Sequence, residues 1–191
     1  LEHFGILASE KVFTSSDHHF NKVKEFHGVM DKKTQEEPIA WTPEGARHRA
    51  AFKLEELVEF LRASSRSEEE FEEAVVHMHE ALDKAATKVK GKSPAEISLV
   101  GQVDALIDTL YFTYGSFVLM GVDPERLFTI VHQANMGKIF PDGKAHFDPV
   151  THKILKPDDW EEKYAPEPAI KEELERQIKA YEKNCGSKEK N

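Results

Sequence analysis

Apolar positions along most of this chain recur every three or four residues, the period of a helix with one buried face. Ser15-Ser16-Asp17 predicts the cap of a first helix running to about Val29, with Phe20, Val23, Phe26 and His27 on one side. The polar segment from Lys32 to Trp41 holds Pro38 and reads as a connector. Thr42-Pro43-Glu44 then sets a capping Thr before a Pro at the first helical position. The helix it opens carries Ala50, Leu54, Leu57, Val58 and Leu61 and should end near Ala63. Ser67 followed by Glu68, Glu69 and Glu70 is a capping-box start for a third helix, to about Lys88, whose narrow apolar face is Phe71, Val75, Met78 and Leu82. After a basic connector to Ser93, Ser93-Pro94-Ala95-Glu96 predicts the start of a fourth helix ending near Gly121. Asp123-Pro124-Glu125 opens a fifth, to about Met136, with Leu127, Ile130, Val131 and Ala134 inside.

Beyond that point KIFPDGKAHFDPVTHKILKPDDW mixes turn formers with short apolar runs, the pattern of a small hairpin or irregular arm. Glu167 to Lys183 reads as a last, strongly charged helix. Helix follows helix over short connections, without an internal repeat, so the predicted class is all-α, a helical bundle with a short C-terminal arm. The 191 residues suit a single domain, 1–191, with a core over about 15–140 and the arm and charged helix over about 141–191.

Composition narrows the partners. A formal net charge of -9 argues against a surface for nucleic acid polymers, which needs a basic patch. It leaves a single nucleotide open as ligand, because a divalent cation neutralises phosphates and acidic side chains together. The only cysteine, Cys185, allows no intrachain disulfide, which fits a reducing, cytoplasmic setting. The start, LEHFGIL, shows no signal-peptide pattern. The one membrane candidate, Leu99 to Met120, contains Gln102, Asp104 and Asp108. Each central Asp opposes insertion by roughly 2.5–3.5 kcal/mol, so the segment reads as a core helix.

The same Asp residues carry the candidate chemistry. Apolar residues cover most of the fourth helix, yet Asp104 and Asp108 lie one turn apart on one side. A buried carboxylate must be paired, protonated or bound to a metal. On the second helix, Glu55, Glu56 and Glu59 share an arc of roughly 100° nearly opposite the main apolar stripe, with Phe52 and Phe60 on or beside it. A solvated acidic face, or pairing with Arg47, Arg49, Lys53, Arg62 or Lys138, would account for each helix separately. Placed side by side, the two helices would bring five carboxylates together, and their repulsion calls for a hard divalent cation. Oxygen-only ligation suits Mg²⁺ or Mn²⁺. A di-iron centre usually adds Glu-x-x-His, and neither helix has it.

Glu55-Glu56-Leu57-Val58-Glu59 resembles the EExxE motif of the MazG-like, all-α nucleoside triphosphate pyrophosphohydrolases. DALIDTLYFTYG followed by GVDPERLFTIVHQANMGKI is similar to the phosphoribosyl-ATP pyrophosphohydrolase-like branch of that group, and the likeness covers roughly Thr42 to Leu155. It departs at one point. If Asp104 or Asp108 closes the family's ExxD motif, its Glu falls on Gly101 or Ala105, neither of which can ligate. The resemblance implies a MazG-like bundle that hydrolyses a nucleoside triphosphate to the monophosphate and pyrophosphate. It implies Mg²⁺ held by Glu55, Glu56, Glu59, Asp104 and Asp108, with Glu55 or Glu56 as general base. Two alternatives stay open: hydrolysis of phosphoribosyl-ATP, and a non-catalytic nucleotide-binding helical assembly protein.

Around that centre, Asn135 and Lys138 in QANMGKI, with Lys53, are candidates for contact with phosphate or sugar; Arg47 and Arg49 are weaker ones. Lys138 also suits the bland role of a basic residue at a helix end. The ten histidines show no zinc-ligand spacing and read as surface or packing residues. Trp41, Phe20 and Phe26 could stack on a base, but packing in the core is the expectation. The long apolar fourth helix, with few helices available to cover it, points to a homodimer or higher homo-oligomer.

Overall fold

The computed structural model describes residues 15–31, 35, 37–91, 96–150 and 153–188, with side chains to 183. Among these residues seven helices follow one another: α1 His18–Met30, α2 Pro43–Ala63, α3 Glu68–Lys90, α4 Leu99–Met120, α5 Glu125–Met136, α6 Trp160–Tyr164 and α7 Glu167–Lys188. Among the described residues the only β pairing is an isolated bridge, Phe147 with Ile154, in the arm.

Capping chemistry sets most of the helix starts. Asp17 accepts from the amides of His19 and Phe20, and Thr42 Oγ1 accepts from Gly45 N at 3.1 Å, with Pro43 at the first position as expected. Ser67 accepts from Glu70 N, but the reciprocal bond of a capping box falls one residue earlier: Glu70 takes the amide and guanidinium of Arg66. That pairing holds the Glu70 carboxyl below the usual carboxylate range. The start of α4 differs from expectation. Ser98 Oγ accepts from Gly101 N at 3.1 Å and the helix begins at Leu99, whereas the Ser93-Pro94-Ala95 signal lies outside the described residues. At its other end Gly121 is left-handed (φ +69°), and the bonds Val122 N to Phe117 O and Gly121 N to Val118 O close a Schellman motif.

The described residues group into two compact units. One, drawn from Leu1–Glu36 and Thr113–Asn191, packs α5 between α1 and α7. Its buried residues, among those described, are Met30, Ala134, Gly137, Trp160 and Glu173, which is 4% exposed. Trp160 donates its indole N–H to the carbonyl of Ala134 at 2.8 Å and takes the Lys156 ammonium over its ring. The Tyr164 ring lies against Gly137, where a Cβ would come within 2.3 Å of it. Glu173 receives Arg176 and Gln177 from α7 and Arg126 from α5, which lowers its pKa to about 2. The arm takes its turn at Gly143 (φ +75°) and keeps the backbone bonds Asp148 N to Lys153 O and Leu155 N to His146 O.

The other unit, Glu37–Phe112, pairs α2 with α3 and contains the first part of α4. Here the sequence expectation of burial fails. None of α2, α3 or α4 contains a buried residue. Leu54 and Leu57 of the α2 stripe are exposed, and along α4 exposure reaches 72% at Phe112 and 90% at Leu119. Of the α2 stripe only Val58 and Leu61 are half-buried, and the described residues of one copy leave the rest uncovered. Among the described residues no helix is long and apolar enough to cross a membrane.

Candidate functional site

All five candidate metal ligands fall within the unit Glu37–Phe112, on α2 and α4. Glu55, Glu56, Glu59, Asp104 and Asp108 are exposed, so the expected burial of the two Asp residues is corrected. Among the described residues no three His, Cys, Asp or Glu side chains are placed to hold one metal ion. The expected convergence of five carboxylates is therefore not reached within one copy, where α2 packs on α3.

The alternative of neutralisation by arginine or lysine also fails for four of the five. Among the described residues Glu56, Glu59, Asp104 and Asp108 have no ion-pair partner. The nearby cations are engaged elsewhere. Arg62 pairs with Glu68 at 3.5 Å and lies over Phe71, and Arg49 lies over the Phe52 ring. Lys53 donates to the carbonyl of Arg49 at 3.2 Å, and its pKa is lowered first by burial and then by the Arg49 charge. As a donor set, five carboxylates match a hard cation such as Mg²⁺ or Mn²⁺.

Asn135 and Lys138 belong to the other unit, at the C-terminus of α5. Lys138 Nζ donates to Asn135 Oδ1 at 2.8 Å, both half-buried, so the pair presents one fixed polar head. An open cleft of about 510 Å³ in that unit, between α5 and the α6–α7 junction, is lined by Ile130, Met136, Tyr164 and Pro166 and by none of the candidate residues.

Several of the described histidines take structural partners. His19 bonds Tyr114 Oη at 2.7 Å and stacks on Phe128, His132 reaches Glu25, and His146 stacks on Phe140 and bonds Asp142. His3 and His152 lie outside the described residues. Phe20 and Trp41 are exposed, which overturns their expected place in the core, while Phe26 is half-buried.

Sequence reasoning missed one arrangement beside the carboxylates. The side-chain amide of Gln102 on α4 pairs with both backbone groups of Trp41, accepting from its N–H at 2.8 Å and donating to its C=O at 3.0 Å. No periodicity or motif signals such a contact across 61 positions. It ties the entry of α2 to α4 and fixes where Trp41 sits.

Residues 23–135 match the family described as phosphoribosyl-ATP pyrophosphohydrolase. The chain is also similar to a crystal structure from Exiguobacterium sp. 255-15, named provisionally as an NTP pyrophosphohydrolase. The two are 39% identical with a TM-score of 0.79, over 87% of this chain and 99% of the other. No individually curated protein matches the chain.

Proposed function

The chain belongs to the phosphoribosyl-ATP pyrophosphohydrolase family of MazG-like all-α proteins, and from that premise we propose that it hydrolyses a nucleoside triphosphate to the monophosphate and pyrophosphate. Glu55, Glu56, Glu59, Asp104 and Asp108 would hold Mg²⁺, or Mn²⁺ in its place. When bound, the ion supplies neutralisation of charge on the phosphate oxygens and a more acidic water. Whichever of Glu55 and Glu56 is left off the ion takes the proton of the attacking water. Lys138, steadied by Asn135, and Lys53 contact phosphate or sugar.

One observation carries this reading: among the described residues Glu56, Glu59, Asp104 and Asp108 have no ion-pair partner, and they share their helices with exposed apolar faces. A second copy laid on α4 would bury those faces and draw the acids out of water, and there only a cation makes their proximity tolerable. The working form is therefore a homodimer or higher homo-oligomer, each copy one domain, and it acts in the cytoplasm.

The 39% identical structure favours a nucleoside triphosphate over phosphoribosyl-ATP as substrate. The test is a pyrophosphate-release assay with Mg²⁺ titration, over standard, deoxy and modified nucleoside triphosphates and phosphoribosyl-ATP. Release from a triphosphate that tracks Mg²⁺ supports the proposal. Release from phosphoribosyl-ATP alone moves the substrate. Saturable binding without release anywhere assigns the chain to non-catalytic nucleotide binding, the outcome that Gly101 and Ala105 in place of the family Glu would explain.

A further inference from the structure

One face of α2 presents a row of residues spaced four and three apart: Gly45, Arg49, Phe52, Glu56 and Glu59. That spacing keeps them on a single side of the helix. Only the last two, with the adjacent Glu55, belong to the carboxylate group. The first three form a separate construction at the N-terminal end of the same face.

Trp41 precedes the Thr42 cap and folds its indole onto Gly45. A Cβ at Gly45 would lie 2.7 Å from Cε3, so glycine is what lets the ring settle there. Packing of the residue before a cap against the first turn is a common staple that sets the entry angle of a helix. Two features exceed that role. Gln102 holds both backbone groups of Trp41, and the residue is still 49% exposed. A side chain needed only as a staple would gain by covering its apolar surface. Here a large ring is fixed in place and left open to water.

Next along the row, the Arg49 guanidinium lies 5.5 Å from the centre of the Phe52 ring, and His48 meets the other side chain of the pair edge-on at 4.7 Å. Arg49 is thus a half-buried, positioned cation rather than a free surface arginine. Ten residues separate Gly45 from Glu55, roughly 15 Å of helix axis, and side chains that lean toward the N-terminus shorten the gap. An extended nucleoside triphosphate spans that distance from its base to its bridging phosphates.

We propose that this row is a nucleotide track, in which the base stacks on Trp41, Arg49 meets the α-phosphate, and the phosphates beyond it arrive at Glu55, Glu56 and Glu59. The assignment rests on the hydrolase reading for the identity of the ligand, but it makes its own prediction about binding. Trp41 is a positioning and specificity residue here, and Arg49 a phosphate contact.

The experiment is a binding titration of the full-length oligomer in Ca²⁺, using ATP, GTP, CTP, UTP, their deoxy forms and inorganic tripolyphosphate. Tryptophan emission is read alongside calorimetry. The chain has only Trp41 and Trp160, and Trp160 is buried, so a nucleotide-dependent quench reports on Trp41. Nucleoside triphosphates should quench saturably and tripolyphosphate should not. Trp41→Phe should lose the signal yet bind nearly as well. Trp41→Leu should weaken nucleoside triphosphates roughly tenfold, the scale of one stacked base, and leave tripolyphosphate unchanged. Arg49→Gln should weaken both. Helicity by circular dichroism, unchanged in all three variants, excludes misfolding as the cause.

The track is overturned if tripolyphosphate quenches as strongly as ATP, if the quench survives Trp41→Phe, or if no nucleotide quenches at all. Loss of neither ligand in Arg49→Gln removes Arg49 from it. A base-dependent quench in a protein that releases no pyrophosphate would sink the hydrolase reading while keeping the track.

Discussion

The two units of this chain use the same device to opposite ends. In each, a glutamine amide pairs with both backbone groups of one residue near a helix entry: Gln177 with Asp123, and Gln102 with Trp41. Around Gln177 the protein is closed. Trp160, Ala134 and Met30 are buried, and Glu173 is sealed among two arginines and an amide. Around Gln102 it is open, with no buried residue on α2, α3 or α4, and among the described residues Glu56, Glu59, Asp104 and Asp108 have no ion-pair partner. A unit that completes its own packing can hold a shape. A unit that leaves apolar and acidic faces uncovered together has them available for a partner copy and a charged ligand.

The contrast predicts where substitutions should tell most. Removing a ligand from the open unit, by Glu59→Ala or Asp108→Ala, should cut Mg²⁺-dependent pyrophosphate release by on the order of a thousandfold. The fold should survive, and the melting temperature of the metal-free protein should not fall, because the lost charge was repelled and not paired. Near-normal turnover in either variant would remove these residues from the site.

A charge placed on the uncovered face, as in Val100→Asp with Tyr111→Asp, should weaken self-association at least about tenfold, since burying unpaired carboxylates is costly. Light scattering reads this directly. A wild-type protein that already runs as a monomer would break the comparison at its root, because the exposed faces would then have no occupant.

In the closed unit, Trp160→Ala should cost about 3–5 kcal/mol in denaturant unfolding, the usual penalty for deleting a buried large aromatic. Trp41→Leu, at an exposed ring, should cost far less. Equal losses would mean that the two tryptophans are not the opposites their exposures suggest.

The smallest expected effect is on acid stability. Glu173 has a pKa lowered to about 2, first by hydrogen bonds from Arg176 and Gln177. A depressed carboxylate stabilises the fold fully above its unfolded value and loses that contribution as pH falls through the folded one. Docking of α7 on α5 should therefore weaken between about pH 4.5 and about pH 2. Glu173→Gln should flatten that dependence in pH-resolved thermal melts, leaving the wild type with the steeper slope.

Much of the architecture was legible from local chemistry. Asp17, Thr42 and Ser67 cap where their side chains predicted, because a cap is a contact between residues two or three apart. Gly121 ends α4 because only the short backbone around it decides its conformation. The EExxE spacing put Glu55, Glu56 and Glu59 on one arc for the same reason: helix geometry follows from sequence distance alone. Burial did not follow. The apolar circumference of α4 suggested a core, but periodicity records which side chains shun water and is silent on what covers them. The Trp41–Gln102 pairing and the Glu173 cluster were equally hidden, the first spanning 61 positions and the second drawing Arg126 from another helix. The sequence by itself determined the helices, their ends and the residue types on each face. Only the tertiary structure decided which faces close within one chain and which stay open, because that depends on contacts between distant segments whose energies no local pattern contains.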